Sequence, residues 1–294
     1  MIDELRTFIA VVENNNFTKA GENINMSQPA VSKHIKNIEK HYGITLINRS
    51  YKEKHISITP CGMKLYSRAK DIVNMIRDLE YEMESFKEEV EGEIRIGASY
   101  TIGEFFMPKF LGEVSKIYPR VEFDIVIENT RTICKMVNSR QLDIGLVEGD
   151  FNKNDFAYKE FKEDVLVLAV PCGYVDTHKT FRKSDFENSV WISREEGSGT
   201  RCQLEDFLKV NDITPRKIIV FGSNYSVKEA VKHGLGVTLI SELVVKNDKS
   251  SREVDIIKFS PKCKRKFNYI LQRDENHSRL VNILIKMLNK TDIL

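Results

Sequence analysis

The sequence predicts two domains, a small all-α winged helix-turn-helix domain followed by a larger α/β domain. Two observations carry this prediction. Between Phe17 and Gly43, two short helical patterns meet at a tight turn, and the second pattern is basic. From residue 92 onward, apolar strand patterns alternate with helical patterns, which is typical of an α/β sheet with parallel strands. We place the boundaries at 1–59 for the first domain, 60–91 for a connecting helix and 92–294 for the second domain.

Charge is distributed unevenly along a chain of ordinary composition. The 294 residues are enough for two cores, and contents of 41% apolar and 30% charged residues are usual for a globular protein. Basic residues dominate from 27 to 54, and acidic residues dominate from 78 to 93. A basic patch followed by an acidic segment is expected of a protein that meets DNA at one end only.

Cysteine usage and the start of the chain indicate the compartment. None of the five cysteines stands in a CxxC pair, so neither a disulfide framework nor a zinc site is predicted. Whether Cys134, Cys172 or Cys202 senses oxidants stays open, although idle thiols are the simpler interpretation. No signal peptide and no membrane-spanning run is apparent, so we expect a cytoplasmic protein in a reducing environment, without a membrane partner.

Capping residues mark the ends of the helical patterns in the first domain. An apolar stripe at helical spacing marks the first helix. Thr18 is the expected N-cap of the second helix and Ser27 that of the third, which tolerates Pro29 in its first turn. Gly43 is expected to end the third helix. Residues 49–54 then form a basic hairpin, the wing, between two short extended segments.

These residues fall in a dense and ordered pattern. It runs Phe8-x-x-Val11, Phe17-Thr18-x-Ala20, Ser27-Gln28-Pro29-Ala30-Val31-Ser32, Gly43, Arg49 and Thr59-x-x-Gly62. The pattern resembles the winged helix of LysR-type transcriptional regulators. One departure is Gly21, where the family usually has alanine; we expect it to weaken its helix by roughly 1 kcal/mol.

The resemblance, together with the polar side of the third helix, indicates a set of DNA-binding residues. They are Thr18, Ser27, Gln28, Pro29, Ser32, Lys33, Lys36 and Arg49. Gln28, Pro29 and Ser32 would meet base edges, whereas Thr18, Lys33 and Arg49 would meet phosphates, in keeping with their chemistry. The alternative for each lysine is a solvated helix face, and Ser27 is more readily a cap than a base reader.

The connecting helix has a seven-residue repeat. Leu65, Ile72, Leu79 and Phe86 recur at every seventh position. Ala69, Ile76 and Met83 fill a second row, which predicts a coiled-coil seam of about three heptads and therefore a homodimer. The alternative is an amphipathic helix that packs on its own domain. LysR-type proteins are similar, and they often pair their dimers into a homotetramer.

The second domain resembles the two-lobed, periplasmic-binding-protein-like effector domain of the same family. The strand pattern assigns lobe 1 to about 92–163 and 267–294, and lobe 2 to about 164–266. In such an arrangement a ligand sits in the cleft, near the carboxyl ends of strands and the starts of helices.

Polar residues at helix starts are the candidate effector-binding residues. They are Ser99, Tyr100, Thr101, Thr130, Gly197, Ser198, Gly199, Thr200, Arg201 and Ser226. The glycine-rich turn at 197–201 is the sharpest candidate, because backbone N–H groups, hydroxyls and a cation together form an anion cradle. We therefore expect a small anionic effector, no cofactor and no metal. The alternatives are that the serines and threonines are caps and that Arg201 is a surface residue.

No catalytic residue is predicted. The sequence lacks GxxxxGK[ST], HExxH, GxSxG and GxGxxG, and His178 and His233 are isolated. The expected function is that of a DNA-binding regulator whose partners are double-stranded DNA, a second copy, an effector and RNA polymerase. Two other classes of function fit the sequence less well. A solute-binding or transport accessory protein would not need a basic winged helix, and an enzyme would need a paired acid and base in the cleft.

Overall fold

Three helices and a strand pair open the first unit, Met1–Lys87. The computed structural model describes residues 1–49, 56–84, 90–174, 181–245, 254–259, 262–273 and 277–290. The elements of this unit are α1 (Ile2–Asn14), α2 (Phe17–Asn23), α3 (Gln28–Tyr42), β1 (Ile47–Arg49), β2 (Ile56–Ile58) and α4 (Pro60–Glu84). β1 and β2 pair antiparallel, so the two strands that flank the predicted wing are confirmed.

The core of the first unit joins all of its helices. Phe8, Val11, Ala20, Val31 and Ile35 are fully buried in one cluster. Because burial of apolar area is the main favourable term in folding, this cluster fixes how α2 and α3 meet.

The helix caps differ in part from the predicted ones. Asn16, not Thr18, caps α2, because its side chain accepts hydrogen bonds from the amides of Thr18 and Lys19. Ser27 caps α3 as predicted, and Gly43 ends that helix with a left-handed φ of 66°.

The second unit, Glu88–Leu294, contains the remaining elements. They are β3 (Glu91–Ser99), a π-helical turn (Ile102–Phe106), α5 (Met107–Ile117), β4 (Arg120–Glu128), α6 (Thr130–Asn138), β5 (Ile144–Glu148), β6 (Phe156–Val170), β7 (Val190–Arg194), α7 (Gly199–Val210), β8 (Lys217–Phe221), α8 (Asn224–Lys232), β9 (Thr238–Ser241), α9 (Glu242–Val245), β10 (Asp255–Ile257), β11 (Cys263–Gln272) and α10 (Arg279–Asn289). The π-helical turn leads directly into α5.

The main sheet is mixed, which corrects the prediction of parallel strands. β3 pairs parallel with β4 and β5, but β11 pairs antiparallel with both β5 and β6. β9 and β10 also pair antiparallel with β6. The alternation of strand and helix patterns could not reveal this, because β6 and β11 are distant in sequence, with β7 to β10 and α7 to α9 between them.

The long strands β6 and β11 connect two lobes with separate cores. Lobe 1 packs α5 and α10 against β3, β5 and β11. Lobe 2 packs α7 and α8 on either side of β6, β7 and β9 around Trp191 and Val167. The two-lobed arrangement agrees with the prediction.

Candidate functional site

α3, the predicted recognition helix that would contact DNA bases, presents a polar face. Val31, Ile35 and Ile38 of α3 are buried, whereas Gln28, Pro29, Lys33 and Lys36 on the other side of the helix are exposed. Thr18 and Ser27 are also exposed, and Ser32 is half-buried at the border. The structure therefore brings the predicted side chains of α3 to one accessible face.

Two side-chain contacts hold α3 in place. Oγ1 of Thr7 lies 2.8 Å from Nδ1 of His34, which ties α1 to α3. At the other end, Oε1 of Glu39 accepts hydrogen bonds from the amides of Leu46 at 2.8 Å and Ile47 at 3.2 Å. Glu39 thus connects the recognition helix to the first strand of the wing, a role that its charge alone did not indicate.

The wing itself is only partly described. The backbone of Arg49 ends β1 opposite Ile56, but its side chain and residues 50–55 lie outside the described residues. The assignment of Arg49 to a phosphate contact stays a prediction.

Gly21 has a reason to be glycine that sequence reasoning missed. A Cβ at this position would lie 2.4 Å from the carbonyl oxygen of Met26. The amide of Met26 donates to the carbonyl of Gly21 at 2.8 Å, which closes the turn between α2 and α3. The glycine therefore permits the tight turn, and this steric requirement stands beside its expected cost to helix stability.

The seam of α4 divides into two parts. Ala69 is buried and Leu65 partly buried in the core of the first unit. This part of α4 thus follows the alternative of an amphipathic helix that packs on its own domain. Further along, Ile72, Met75, Leu79 and Met83 are exposed by 42–67% of their surface. Phe86 lies outside the described residues.

In the second unit, seven polar side chains form a buried interlobe cluster. Its members are Ser99, Thr101, Glu148, Asp164, Thr200, Asn224 and Arg265. The guanidinium of Arg265 donates to Asp164 Oδ2 at 2.7 Å, to Thr200 Oγ1 at 3.0 Å and to Thr101 Oγ1 at 3.0 Å. Thr101 belongs to lobe 1 and Thr200 to lobe 2, so this one side chain joins both lobes.

The carboxylates of the cluster are also engaged. Oε1 of Glu148 lies 3.7 Å from Nη1 of Arg265, and its other oxygen accepts a hydrogen bond from Ser99. Oδ1 of Asp164 accepts from Ser241 at 2.6 Å. A buried charge is costly unless it is paired and hydrogen-bonded, and these contacts meet that requirement.

A second contact between the lobes lies beside this cluster. The guanidinium of Arg194 stacks 4.3 Å from the ring centre of Tyr100, and its Nη1 donates to Asn224 at 2.7 Å. Arg194 is also paired with its neighbour Glu195 at 2.8 Å. Burial raises the pKa of Tyr100, and nearby carboxylates, Glu128 foremost, add to the rise.

Glu104, in the π-helical turn, has a buried oxygen without a partner. Among the described residues nothing donates to its Oε2. Burial raises the pKa of its carboxyl; Arg194 opposes the rise and Glu148 adds to it. π-Helical turns often occur at functional sites, which draws attention to this residue.

A cavity of about 610 Å³ opens between α6 of lobe 1 and α7 of lobe 2. We call it the α6–α7 cavity. Its lining consists of Thr130, Arg131, Cys134, Lys135, Asn138, Asp150, Phe151, Asn152, Asp155, Phe156, Glu196, Gly197, Ser198, Gly199, Arg201, Cys202 and Glu205. This volume is within the usual range for small-ligand sites.

Ser198 stands at the N-terminus of α7 but does not cap it. Its side chain makes no cap hydrogen bond, although it is only 7% exposed and lines the cavity. The first amides of a helix have no partners within the helix. The amides at this end of α7 can therefore donate hydrogen bonds to an acceptor group of a ligand.

The two lobes touch through glycine backbones beside the cavity. A Cβ on Gly149 would lie 2.5 Å from Cα of Gly199, and a Cβ on Gly199 would lie 2.2 Å from the carbonyl oxygen of Glu148. Gly197, with a φ of 91°, accepts a hydrogen bond at its carbonyl from the amide of Arg131 at 3.2 Å. Glycine at these positions therefore allows close approach of α7 to lobe 1.

The predicted effector residues thus fall into three places. Thr130, Gly197, Ser198, Gly199 and Arg201 line the α6–α7 cavity. Ser99, Thr101 and Thr200 lie in the buried interlobe cluster, and Tyr100 lies beside it.

Ser226, at the start of α8, is not among the residues that line the α6–α7 cavity. Its amide and its hydroxyl both bond to Ser223, the N-cap of α8. Thr130 is not the cap of α6 either; Asn129 is, and the hydroxyl of Thr130 donates to the carbonyl of Glu148 at 2.7 Å.

Burial weakens the case for thiol chemistry in the cavity. It raises the pKa of Cys134 to about 12, with Asp155 adding to the rise. The pKa of Cys202 is also raised by burial, and Sγ of this residue lies 3.9 Å from Asp150. Since the thiolate is the reactive form, neither thiol is activated.

Within the described ranges, no group of three or more potential ligands could hold a metal, and no helix has the length and apolarity to cross a bilayer.

Comparison with known proteins decides the family. The sequence-family model described as LysR substrate binding domain matches residues 87–292. A second family model, described as bacterial regulatory helix-turn-helix protein, lysR family, matches residues 2–63. The chain belongs to the LysR family of transcriptional regulators. It is thus a DNA-binding regulator with an effector-binding domain, not an enzyme, as the sequence predicted.

Two of the proteins similar to this regulator span nearly its full length, and a third covers about two thirds of it. It is 40% identical over 288 residues to the HTH-type transcriptional regulator CysL of Bacillus subtilis (strain 168), covering 97% of this chain and 96% of that protein. Full-length CbnR complexed with target DNA has the same fold, with a TM-score of 0.68 at 15% identity over 99% of both chains. The CcmR regulatory domain of Synechocystis PCC6803, in complex with 2-PG, gives a TM-score of 0.63 at 21% identity, covering 68% of this chain and 96% of that one.

Sequence reasoning missed the charged half of the interlobe cluster. Glu148 ends an apolar strand, which was a usable signal, because ligands gather at the carboxyl ends of strands. Asp164 and Arg265 gave no such signal, since they lie 101 residues apart and meet only through the pairing of β6 and β11.

Proposed function

We propose that this LysR-type regulator changes how it holds promoter DNA when a small anionic metabolite binds in the α6–α7 cavity. The observation that carries the proposal is Ser198, a buried hydroxyl at an uncapped helix N-terminus that faces a cavity of ligand size. The partial positive charge of a helix N-terminus favours an anion there.

The position of the cavity supports a regulatory role. α6 lies in lobe 1 and α7 in lobe 2, and the only direct side-chain ion pair between their ends in the described residues joins Arg131 to Glu196 at 2.9 Å. An anion held by Ser198, the amides of α7 and the neighbouring cations would favour one spacing of the lobes over another. A ligand shifts such an equilibrium by its difference in affinity for the two arrangements.

Oligomerisation completes the proposal. The exposed stripe of Ile72, Met75, Leu79 and Met83 on α4 is apolar at helical spacing, and a second copy of the chain is its natural cover. Two copies would then present two α3 helices to half-sites on one face of the duplex. Pairing of dimers and contact with RNA polymerase would follow on the promoter.

The test begins with DNA. The purified full-length protein is mixed with fragmented genomic DNA of its source, with and without metabolite extract, and the retained fragments are sequenced. Discrete sites with two-fold symmetry that shift with the extract support the proposal, whereas no enrichment over random fragments contradicts it.

A pair of variants then tests the cavity. Ser198→Leu fills the end of the cavity and should abolish the response to the extract while DNA binding persists. Ser115→Leu, on the exposed surface of α5, is the matched control and should leave the response intact. An unchanged response in Ser198→Leu would mean that the effector binds elsewhere.

A further inference from the structure

The guanidinium of Arg265 is enclosed as a bound ligand would be. Its side chain is 2% exposed, and its Nε, Nη1 and Nη2 atoms all donate hydrogen bonds. The acceptors come from the first helical turn of lobe 1, the first turn of α7 in lobe 2 and the long strand β6.

The hydroxyls expected to hold an effector are therefore already engaged. Oγ1 of Thr200 accepts from Arg265, and Oγ1 of Thr101 accepts from both Arg265 and Asn224, the latter at 3.2 Å. A ligand that entered between these two threonines would have to displace the guanidinium.

The charges around the cluster favour a cation in this place. The carboxylates of Glu148 and Asp164 contact Arg265, and Glu104 stands near Glu148 with an unpartnered buried oxygen. The other nearby cation, Arg194, is paired with Glu195. Because two buried carboxylates contact Arg265 directly, removing the guanidinium would leave buried negative charge that favours another cation in its place.

We propose that the buried interlobe cluster is a cation site and that Arg265 is its resident, an internal ligand that joins the lobes before any effector binds. The external ligand that fits this site is a guanidinium or, less completely, a primary ammonium group. The site is separate from the α6–α7 cavity, whose lining includes none of Thr101, Glu148, Thr200 or Arg265. This inference does not depend on the proposed effector.

The test is chemical rescue in the full-length protein. Arg265→Ala vacates the site, and the exposed Arg216→Ala is its matched control. Calorimetric melting is recorded with low-millimolar guanidinium chloride, with urea as the neutral molecule of the same shape, and with sodium chloride. We expect guanidinium alone to raise the melting temperature of Arg265→Ala, with no such gain in the parent protein or in Arg216→Ala.

A loss of stability without selective rescue would contradict a cation site and leave Arg265 a structural brace. If Arg265→Ala does not fold, Arg265→Lys is compared with the parent protein by hydrogen exchange. Loss of one charged hydrogen bond should then speed exchange about tenfold at residues 101–106 and at the start of α7, with α1 to α3 unchanged. Equal exchange in the two proteins would overturn the proposal.

Discussion

Nε of Arg265 and Oδ2 of Asp164 lie 2.7 Å apart, and the two residues are direct partners in the antiparallel register of β11 and β6. Strand pairing and ion pairing thus specify the same alignment. A slip of one residue would turn the arginine to the opposite face of the sheet and leave Asp164 buried without its partner. The pair therefore fixes the register of the strands that connect the lobes.

Removal of one charge from this pair should be costly. In Asp164→Asn the guanidinium of Arg265 loses its closest carboxylate while it stays buried, and breaking a buried pair in this way costs about 3–5 kcal/mol. Urea unfolding followed by circular dichroism measures the loss. Asp124→Asn, on the exposed side of β4, should change the midpoint little; equal midpoints for the two variants would contradict the role of the pair.

The contact between Gly149 and Gly199 predicts the effect of a single methyl group. In Gly199→Ala the new Cβ would lie 2.2 Å from the carbonyl oxygen of Glu148, so the lobes must separate or the backbone must shift. We expect a lower melting temperature although alanine is the better helix former. Gly222→Ala, where a Cβ meets nothing within 4 Å, is the control. A melting temperature of Gly199→Ala at or above that of the control would show that the lobes do not require this contact.

The recognition face predicts two different losses of DNA binding. Gln28→Ala should reduce the preference for the specific site by about 1–3 kcal/mol, because glutamine reads base edges. Lys33→Ala should weaken specific and random DNA alike and reduce the salt slope by about 1. Fluorescence anisotropy with both duplexes at several salt concentrations separates the two effects. Equal loss on both duplexes for Gln28→Ala would exclude base reading.

Glu104 predicts a dependence of stability on pH. Burial raises the pKa of its carboxyl in the folded state, so the folded protein binds more protons than the unfolded chain between the two pKa values. Its contribution to stability is therefore present below the unfolded pKa and is lost as pH rises through the folded pKa. Glu104→Gln, which cannot ionise, should gain stability relative to the parent at pH 7 but not at pH 4. Calorimetric melting of both proteins over this range checks the sign, and a constant difference would refute it.

The first unit could be predicted closely because its signals are local. Buried positions at helical spacing and the caps at Ser27 and Gly43 lie within a few residues of the features that they define. The error was also local: Asn16 takes the capping role assigned to Thr18, since asparagine caps a helix as well as threonine does.

The second unit was less predictable because its site is assembled by distant pairing. Helix starts were recognised, and five of the predicted residues line the cavity. The partners of Thr101 and Thr200 could not be inferred, because Arg265 follows them by 164 and 65 residues in sequence. The need for glycine at 21 and 199 also escaped prediction, since it depends on which backbone atom lies opposite.

Trp191 is the only tryptophan in the chain, and it is fully buried in the core of lobe 2 among Phe186 and Phe207. Its indole is therefore an intrinsic fluorophore that reports on the core of lobe 2. Emission should stay blue while lobe 2 is folded, and melting of the DNA-binding unit alone should not change it. A single optical signal can thus follow the effector side of this regulator in the presence of promoter DNA, without any attached dye.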